Sequence, residues 1–344
     1  MKLAPCVRAI TALGGSTQVI VHTGQHYDDA MSDSFFRELE IPAPDVNLEV
    51  GSASHAVQTA RIMERFESVV LDRQPAWVVV YGDVNSTAAA ALVCAKLSVP
   101  LAHVEAGLRS GDRTMPEEIN RLITDRLASL LLTPSRDADV NLLAEGVDGA
   151  RIVFAGNVMV DTLFHTLPAA RATKFRESLG MAEQGYALVT MHRPSNVDDA
   201  GRRGKICELL GSISMSMPVI FPMHPRTLAR LTDGDRTALK RVTVLAPTPY
   251  SATLDLTADA RVVITDSGGL QEETTALGVP RLTLRDNTER PVTTTSGTNQ
   301  LVIDLSTLPE LVRTAKRPAV PPRPEGWDGH AGERVAAALA SRDR

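Results

Sequence analysis

The chain has 344 residues, with 36 Lys and Arg against 41 Asp and Glu for a net charge of −5; 43% of residues are apolar, 22% charged and 4% aromatic. This is globular usage at a length that allows two domains, and it excludes a disordered chain or a small scaffold. An acidic balance with no dense Lys/Arg block likewise excludes sequence-independent nucleic-acid binding.

Lys2 to Leu13 has helical apolar spacing and is stopped by Gly14-Gly15, and Thr17 to Thr23 reads as a buried strand ending in a Gly turn. A parallel α/β domain normally opens with a strand, because each crossover helix links two strands of one sheet. The opening helix therefore predicts a strand and turn ahead of Met1, about 15 to 25 residues by usual element lengths, with Met1 an internal methionine. Without that central strand, two neighbouring edges and apolar surface would be exposed.

Further along, His55–Leu71, Thr87–Leu97 and Glu117–Leu132 have helical spacing, while Ala76–Tyr81, Leu101–Val104 and Arg151–Phe154 read as strands. Near-continuous apolar strands are typical of a parallel sheet covered on both faces. The pattern restarts at Ala187–Thr190, Val219–Phe221, Val242–Leu245, Arg261–Thr265 and Arg281–Leu284. The expected organisation is two α/β domains with a seam near 155–165: an N-terminal Rossmann-like domain over 1–157, a second over 158–328, and a tail over 329–344. The Pro-rich "KRPAVPPRPEG" ahead of a last helix, Ala331–Ser341, could carry that tail back to the first domain. Cys6, Cys94 and Cys207 are odd in number and far apart, which fits buried thiols in a reducing compartment and neither a disulfide framework nor a zinc cluster. No stretch approaches about 18 apolar residues and no leader pattern opens the chain, so the expectation is a soluble cytoplasmic protein.

Ligands of open α/β sheets bind beyond the carboxyl ends of strands, and four strand-end turns here are polar. "VVVYGDVNST" places Asp83 after a buried strand; alone, this fits a capping cluster with a solvated loop carboxylate equally well. "LAHVEAGLRSGDRTMPEEINR" puts Glu105 directly after Leu101–Val104, where a partly desolvated carboxylate can serve as an acid or base. Glu117 follows Pro116 at a helix start, a place that suits acids through the helix dipole alone. Asp83 and Glu105 on successive strand ends point to a carboxylate-lined cleft. In the second half, "LVTMHRPSN" sets His192-Arg193 after a strand, a pair suited to an anionic group, and "FPMHPRT" repeats the device with His224 and Arg226. "RVVITDSGGLQEETTALGVP" gives a Ser267-Gly268-Gly269 turn into a helix, a ready phosphate site. Glu273, one turn on, could accept both hydroxyls of a ribose, and Arg290 in "TLRDNTERP" adds a cation. Spacing alone thus makes a nucleotide diphosphate plausible in the second domain.

"TGQHYDD", "YGDVNST", "HVEAGLRSGDRTMPEEINR", "MHRPSN", "HPRT", "TDSGGLQEE" and "TERP…GTN" stand in an order and spacing that resembles the non-hydrolysing UDP-N-acetylglucosamine 2-epimerases, from residue 1 to about 305. The resemblance implies a glycosyltransferase B-type architecture, two Rossmann-like domains facing a cleft, with the first strand of the first domain absent here. It further implies interconversion of UDP-N-acetylglucosamine and UDP-N-acetylmannosamine for polysaccharide biosynthesis, with no cofactor, no metal and a homodimer. The family's route is elimination of UDP to a 2-acetamidoglucal and re-addition with the proton on the other face. Asp83, Glu105 and Glu117 match its catalytic carboxylates and His192 its diphosphate histidine, with Arg193 a candidate for the same work. Ser267, Gly268, Gly269, Glu273 and Arg290 match the phosphate and ribose positions, and Lys2 matches the lysine of the family's first motif. Departures are Pro194-Ser195 before Asn196, where many members have a carboxylate, Thr253 where an aromatic is common, and a "QHYDD" unlike the versions linked to allosteric activation. "HPRT" and "TLRD" also occur in relatives acting on other UDP-2-acetamido sugars, including uronic acids. The alternatives are such a substrate, a B-type glycosyltransferase, or an inactive nucleotide-sugar-binding protein.

Overall fold

Every strand pairing among the described residues is parallel, as the apolar strand runs with intervening helices require. The structure is a computed structural model describing residues 1–24 and 35–342, so Gln25–Asp29 of the TGQHYDD motif lie outside the described residues. The chain forms two compact units. One is Met1–Thr162 together with Glu325–Arg344, the other Leu163–Pro324. No helix among the described residues is long and apolar enough to cross a membrane.

The first unit opens with the helix Leu3–Leu13, whose amide run is closed at Gly14 by a bond back to the Ile10 carbonyl. Strands β1 (Val21–His22) and β2 (Val46–Asn47) form a two-stranded sheet of their own. A second sheet contains β3 (Val78–Tyr81), β4 (Leu101–Val104), β5 (Leu130–Thr133) and β6 (Ile152–Phe154) in that order. An apolar cavity of about 690 Å³ lies between β1 and β3, lined by Val7, Ile20, Phe66, Val80 and Leu339 among others. The helix Asn85–Leu97 packs closely on all sides of one turn, where Ala88 to Ala91 are small and all buried. Cys6 and Cys94 are buried thiols, and burial pushes each up to about 12.

The expectation of a single helix over Glu117–Leu132 is corrected: the helix is Pro116–Leu127, Ala128 turns extended, and Leu130–Thr133 is β5. A Leu run has no period of its own, and β5 is buried on both faces, so nothing in its pattern separates it from the helix before it. The sheet decides, through the Ser129 amide donating to the Leu101 carbonyl at 2.8 Å.

The second unit holds β7 (Ala187–Thr190), β8 (Val219–Pro222), β9 (Thr243–Leu245), β10 (Val262–Thr265), β11 (Arg281–Thr283) and β12 (Asn299–Leu301), in spatial order β12-β11-β10-β7-β8-β9. This is Rossmann order, and it reverses between β7 and β10, where such sheets open a crevice at their carboxyl ends. The short β12 escapes the sequence reading because Asn299-Gln300-Leu301 has no apolar run; the paired β11 recruits it.

In the first unit, residues 325–342 pack as a closing strap. The Trp327 indole donates to the Pro134 carbonyl at 3.1 Å, Arg334 Nε donates to the Ala155 carbonyl at 2.6 Å, and the Gly332 amide donates to Asp161 at 2.7 Å. Gly332 is required there, since a Cβ would meet the Pro5 carbonyl oxygen at 2.7 Å. The helix Ala331–Ala340 buries Ala331, Val335 and Leu339 against Cys6 and the sheet.

Candidate active site

In the first unit, β3 and β4 are adjacent and parallel, so the turns that follow them lie side by side. Asp83 and Glu105 stand on those turns. Glu105 is buried and takes a left-handed φ of +72°, a conformation that costs a non-glycine residue roughly 1–2 kcal/mol. Strain of this kind is kept where a side chain must be aimed. Its carboxylate pairs with the ammonium of Lys2. Lys2 also explains Gly82, because a Cβ at that position would stand 2.5 Å from its Nζ. Lys2, Asp83 and Glu105 are therefore brought together, although 81 and 103 residues separate them from the lysine.

Asp83 pairs with the guanidinium of Arg121, a residue the sequence reading passed over. Arg121 is buried and is held in turn by Glu118, whose carboxylate takes Nε at 2.9 Å and Nη2 at 2.8 Å. Glu118 also accepts the amides of Ser110 at 3.0 Å and Gly111 at 2.9 Å. Burial opposes ionisation of Glu118, but these amides and the guanidinium outweigh it and hold the carboxyl below its usual range. Of the two acids after Pro116, Glu118 builds the scaffold. Glu117, half-buried beside it, makes no ion pair among the described residues.

The second unit assembles its site at the switch point. His192 and Arg193 follow β7, and Asp266 to Gly269 follow the neighbouring β10. Asp266, also missed from sequence, is the organiser: it is fully buried and accepts the amides of His192 at 3.1 Å and Arg193 at 2.9 Å, Asn196 Nδ2 at 3.1 Å, and His192 Nδ1 at 3.0 Å. Burial works against its charge, yet the imidazole and amides win and its carboxyl is held low. The acceptor on Nδ1 fixes that proton and leaves Nε2 on the half-exposed side of the ring. His224, with its ring centroid 6.0 Å from that of His192, is pushed down by burial, by the neighbouring His192 imidazole and by the Arg226 guanidinium.

Ser267-Gly268-Gly269 leads into the helix Leu270–Leu277. A Cβ on Gly268 would stand 2.8 Å from Glu289 Oε1, 3.2 Å from Arg290 Nη1 and 3.9 Å from Arg193 Nη2, so the turn is walled by one carboxylate and two guanidiniums. Arg290 pairs with Glu272 at 3.1 Å and with Glu289, and Arg285 meets Glu289 at 2.9 Å. Burial opposes the charge on Glu289, but those two arginines hold it well below the carboxylate range. Arg281, wholly buried, donates from Nη2 to the Ser267 carbonyl at 2.6 Å and so fixes the turn from behind. Glu273 is buried under the hydroxyl of Tyr250 at 2.9 Å, and burial raises its carboxyl to about 7.

A Rossmann-ordered unit with a glycine turn into a helix and converging guanidiniums at its switch point belongs to the class of nucleotide-binding α/β proteins. The profile of the UDP-N-acetylglucosamine 2-epimerases matches residues 8–340. A UDP-N-acetylglucosamine 2-epimerase of Methanocaldococcus jannaschii is 42% identical over 314 residues, 88% of this chain and 85% of that one. A UDP-2,3-diacetamido-2,3-dideoxy-D-glucuronate 2-epimerase of Pseudomonas aeruginosa is also 42% identical, over 88% of this chain and 84% of that one. Among solved structures, the M. jannaschii UDP-GlcNAc 2-epimerase in complex with UDP-GlcNAc and UDP superposes with a TM-score of 0.89 at 40% identity, covering 99% of this chain and 96% of that one. The Neisseria meningitidis enzyme bound to UDP-GlcNAc gives 0.85 at 25% identity, with the same coverage. The chain belongs to the UDP-N-acetylglucosamine 2-epimerase family, whose members are isomerases of B-type α/β architecture.

Proposed function

We propose that the protein interconverts UDP-N-acetylglucosamine and UDP-N-acetylmannosamine by eliminating and re-adding UDP. The observation that carries this reading is the pair of carboxylate-bearing turns on adjacent strands, Asp83 and Glu105, braced by Lys2 and Arg121. Inversion at sugar C2 needs a group to remove the proton from one face and a group to return one to the other, and carboxylates can do both. A base takes the C2 proton, the C1–O bond breaks, and its electron pair leaves with the β-phosphate of UDP. The resulting 2-acetamidoglucal is then attacked at C1 by the same phosphate oxygen while C2 is reprotonated from the opposite side. Carbon oxidation states are unchanged from substrate to product, so the chemistry asks for no redox cofactor.

Asp83, Glu105 and Glu117 divide the acid and base work in this reading. His192, its Nδ1 tied to Asp266 and its Nε2 outward, offsets charge on the departing diphosphate together with Arg193 and Arg290. The Ser267-Gly268-Gly269 turn holds phosphate oxygens, and Glu273 holds the ribose hydroxyls. The working protein is a homodimer in the cytoplasm.

Turnover in D2O tests the route: product carrying solvent deuterium at C2 is expected, and product that keeps its original hydrogen overturns it. A second reading has a specific support, because the P. aeruginosa relative acting on a diacetamido uronate is as similar as the M. jannaschii one. Comparing kcat/KM for UDP-N-acetylglucosamine and that uronate decides between the two substrates. UDP release only when an acceptor sugar is supplied would instead indicate a glycosyltransferase.

A further inference from the structure

His103 lies in the middle of β4, wholly buried, with Nδ1 2.6 Å from Asp125 Oδ1 and Nε2 2.8 Å from the Gly82 carbonyl oxygen. A carbonyl oxygen can only accept, so Nε2 carries its proton and donates to Gly82. Asp125, on the Pro116–Leu127 helix and equally buried, uses its other oxygen to accept the Gly107 amide at 3.0 Å and Arg109 Nη1 at 2.7 Å. Arg109 is anchored from outside by Glu145, at 2.7 and 2.8 Å.

The two ends of this chain of bonds fall on the two turns that bear the carboxylates. Gly82 directly precedes Asp83, and Gly107 lies two residues beyond the left-handed Glu105. Gly107 has no freedom to move away, since a Cβ there would stand 2.5 Å from the Ala138 carbonyl oxygen and its own carbonyl accepts Asn141 Nδ2 at 2.9 Å. Nothing in the packing of β4 calls for an imidazole. Leu101, on the same face of the strand, is buried and apolar, and an apolar side chain at 103 would fill the site without the cost of burying polar atoms. What an apolar side chain would lose is the bridge from helix to turn.

We infer that His103 and Asp125 are positioning residues, a buried pair that holds the Asp83 turn and the Glu105 turn in register with each other. The inference rests on the proposed roles of Asp83 and Glu105 and deepens them. Neither His103 nor Asp125 is assigned any contact with substrate; they act through Gly82 and Gly107. Displacement of a reacting group by about 1 Å can cost 10²-fold in rate, so the loss on breaking one end is large and falls on turnover.

Two variants of the full chain separate positioning from packing. In His103→Gln the amide nitrogen reaches as far as Nε2 and can still donate to Gly82, whereas in His103→Asn it reaches only as far as Nδ1 and can serve only Asp125. Each variant breaks one end of the bridge, so His103→Asn and His103→Gln are each expected to lose about 10- to 100-fold in kcat for C2 exchange with KM changed less than about 3-fold. UDP affinity, read by calorimetry, stays the same in both, because the nucleotide turn lies in the other unit. An unimpaired kcat in either variant, or kcat losses that only track losses of thermal stability, overturn the inference. If the parent chain exchanges no proton on any UDP-2-acetamido sugar, the functional reading fails by itself. The pair is then judged by amide exchange at Asp83: faster in His103→Asn than in His103→Gln supports the bridge, and equal rates refute it.

Discussion

Glu273 is one residue through which solution pH reaches the nucleotide unit. Its carboxyl is raised from 4.5 to about 7 by burial, so the folded chain binds this proton more tightly than the unfolded chain. The stability it contributes is complete below about 4.5 and is lost as pH rises through about 7, up to ~3 kcal/mol for a shift of this size. Glu273→Gln should flatten that part of the pH–stability curve, measured as the melting transition of Leu163–Pro324 between pH 5 and 8. If the carboxylate form takes the ribose hydroxyls, UDP binding should also tighten over the same interval, and calorimetry in buffers of different ionisation enthalpy should show proton release. At the other site, Asp83→Asn and Glu105→Gln should each lower kcat by about 10²–10⁴-fold, the usual weight of general acid–base groups, while UDP binding is retained. A steady-state comparison with direct UDP titration checks both. Glu105 is legible in the sequence because it directly follows an apolar strand, and Asp83 because it stands one residue beyond another. Asp266 also follows an apolar strand directly, but its role as organiser is not legible, because its partners are amides and side chains more than 60 residues away that only strand pairing brings near.

At the scale of elements, the Pro116–Leu127 helix is the frame of the carboxylate site, and its acids are easily confused. A Pro-Glu-Glu start suits the helix dipole at either glutamate, and the sequence reading chose Glu117 from a family motif. The fold gives Glu118 the scaffold role through Arg121, one turn on at i+3, and through the Ser110 and Gly111 amides. Glu118→Ala leaves Arg121 with Asp83 as its carboxylate partner but takes the acceptor from Nε, Nη2 and two amides, so it should destabilise the first unit by about 1–3 kcal/mol, as removing one partner of a buried hydrogen bond does. Glu117→Ala should cost less than about 0.5 kcal/mol, as at other sites without such partners, and denaturant melts of the two variants give the comparison. The same helix shows why β5 was read as helix. Its Leu run is compatible with either element, and the choice is made by backbone pairing with β4 and β6. In the second unit the strands are Val-, Leu- and Ile-rich and could be found from composition, but the switch point between β7 and β10 is a fact of strand order, which no local pattern encodes.

For the molecule as a whole, the strap of residues 325–342 is the feature with the widest reach. Its Trp327, Ala331, Val335 and Leu339 are buried in the first unit. Fully burying a large apolar side chain is worth about 1.5–3 kcal/mol, so deleting 325–344 should remove several kcal/mol from that unit. Hydrogen exchange on the deletion variant should show protection lost over β3 to β6 and kept over β7 to β12. The strap also imposes an order of events during synthesis. Chains are made from the N-terminus at about 5–20 residues per second, and domains generally fold as they emerge. Leu163–Pro324 is one uninterrupted stretch and can fold as soon as it leaves the ribosome. The unit that begins the chain cannot, because its sheet and first helix stay uncovered until residues 325–342 have been translated some 160 positions later. The half synthesised first is thus completed last, and during that interval its exposed strands are the part of the nascent chain that most needs a chaperone.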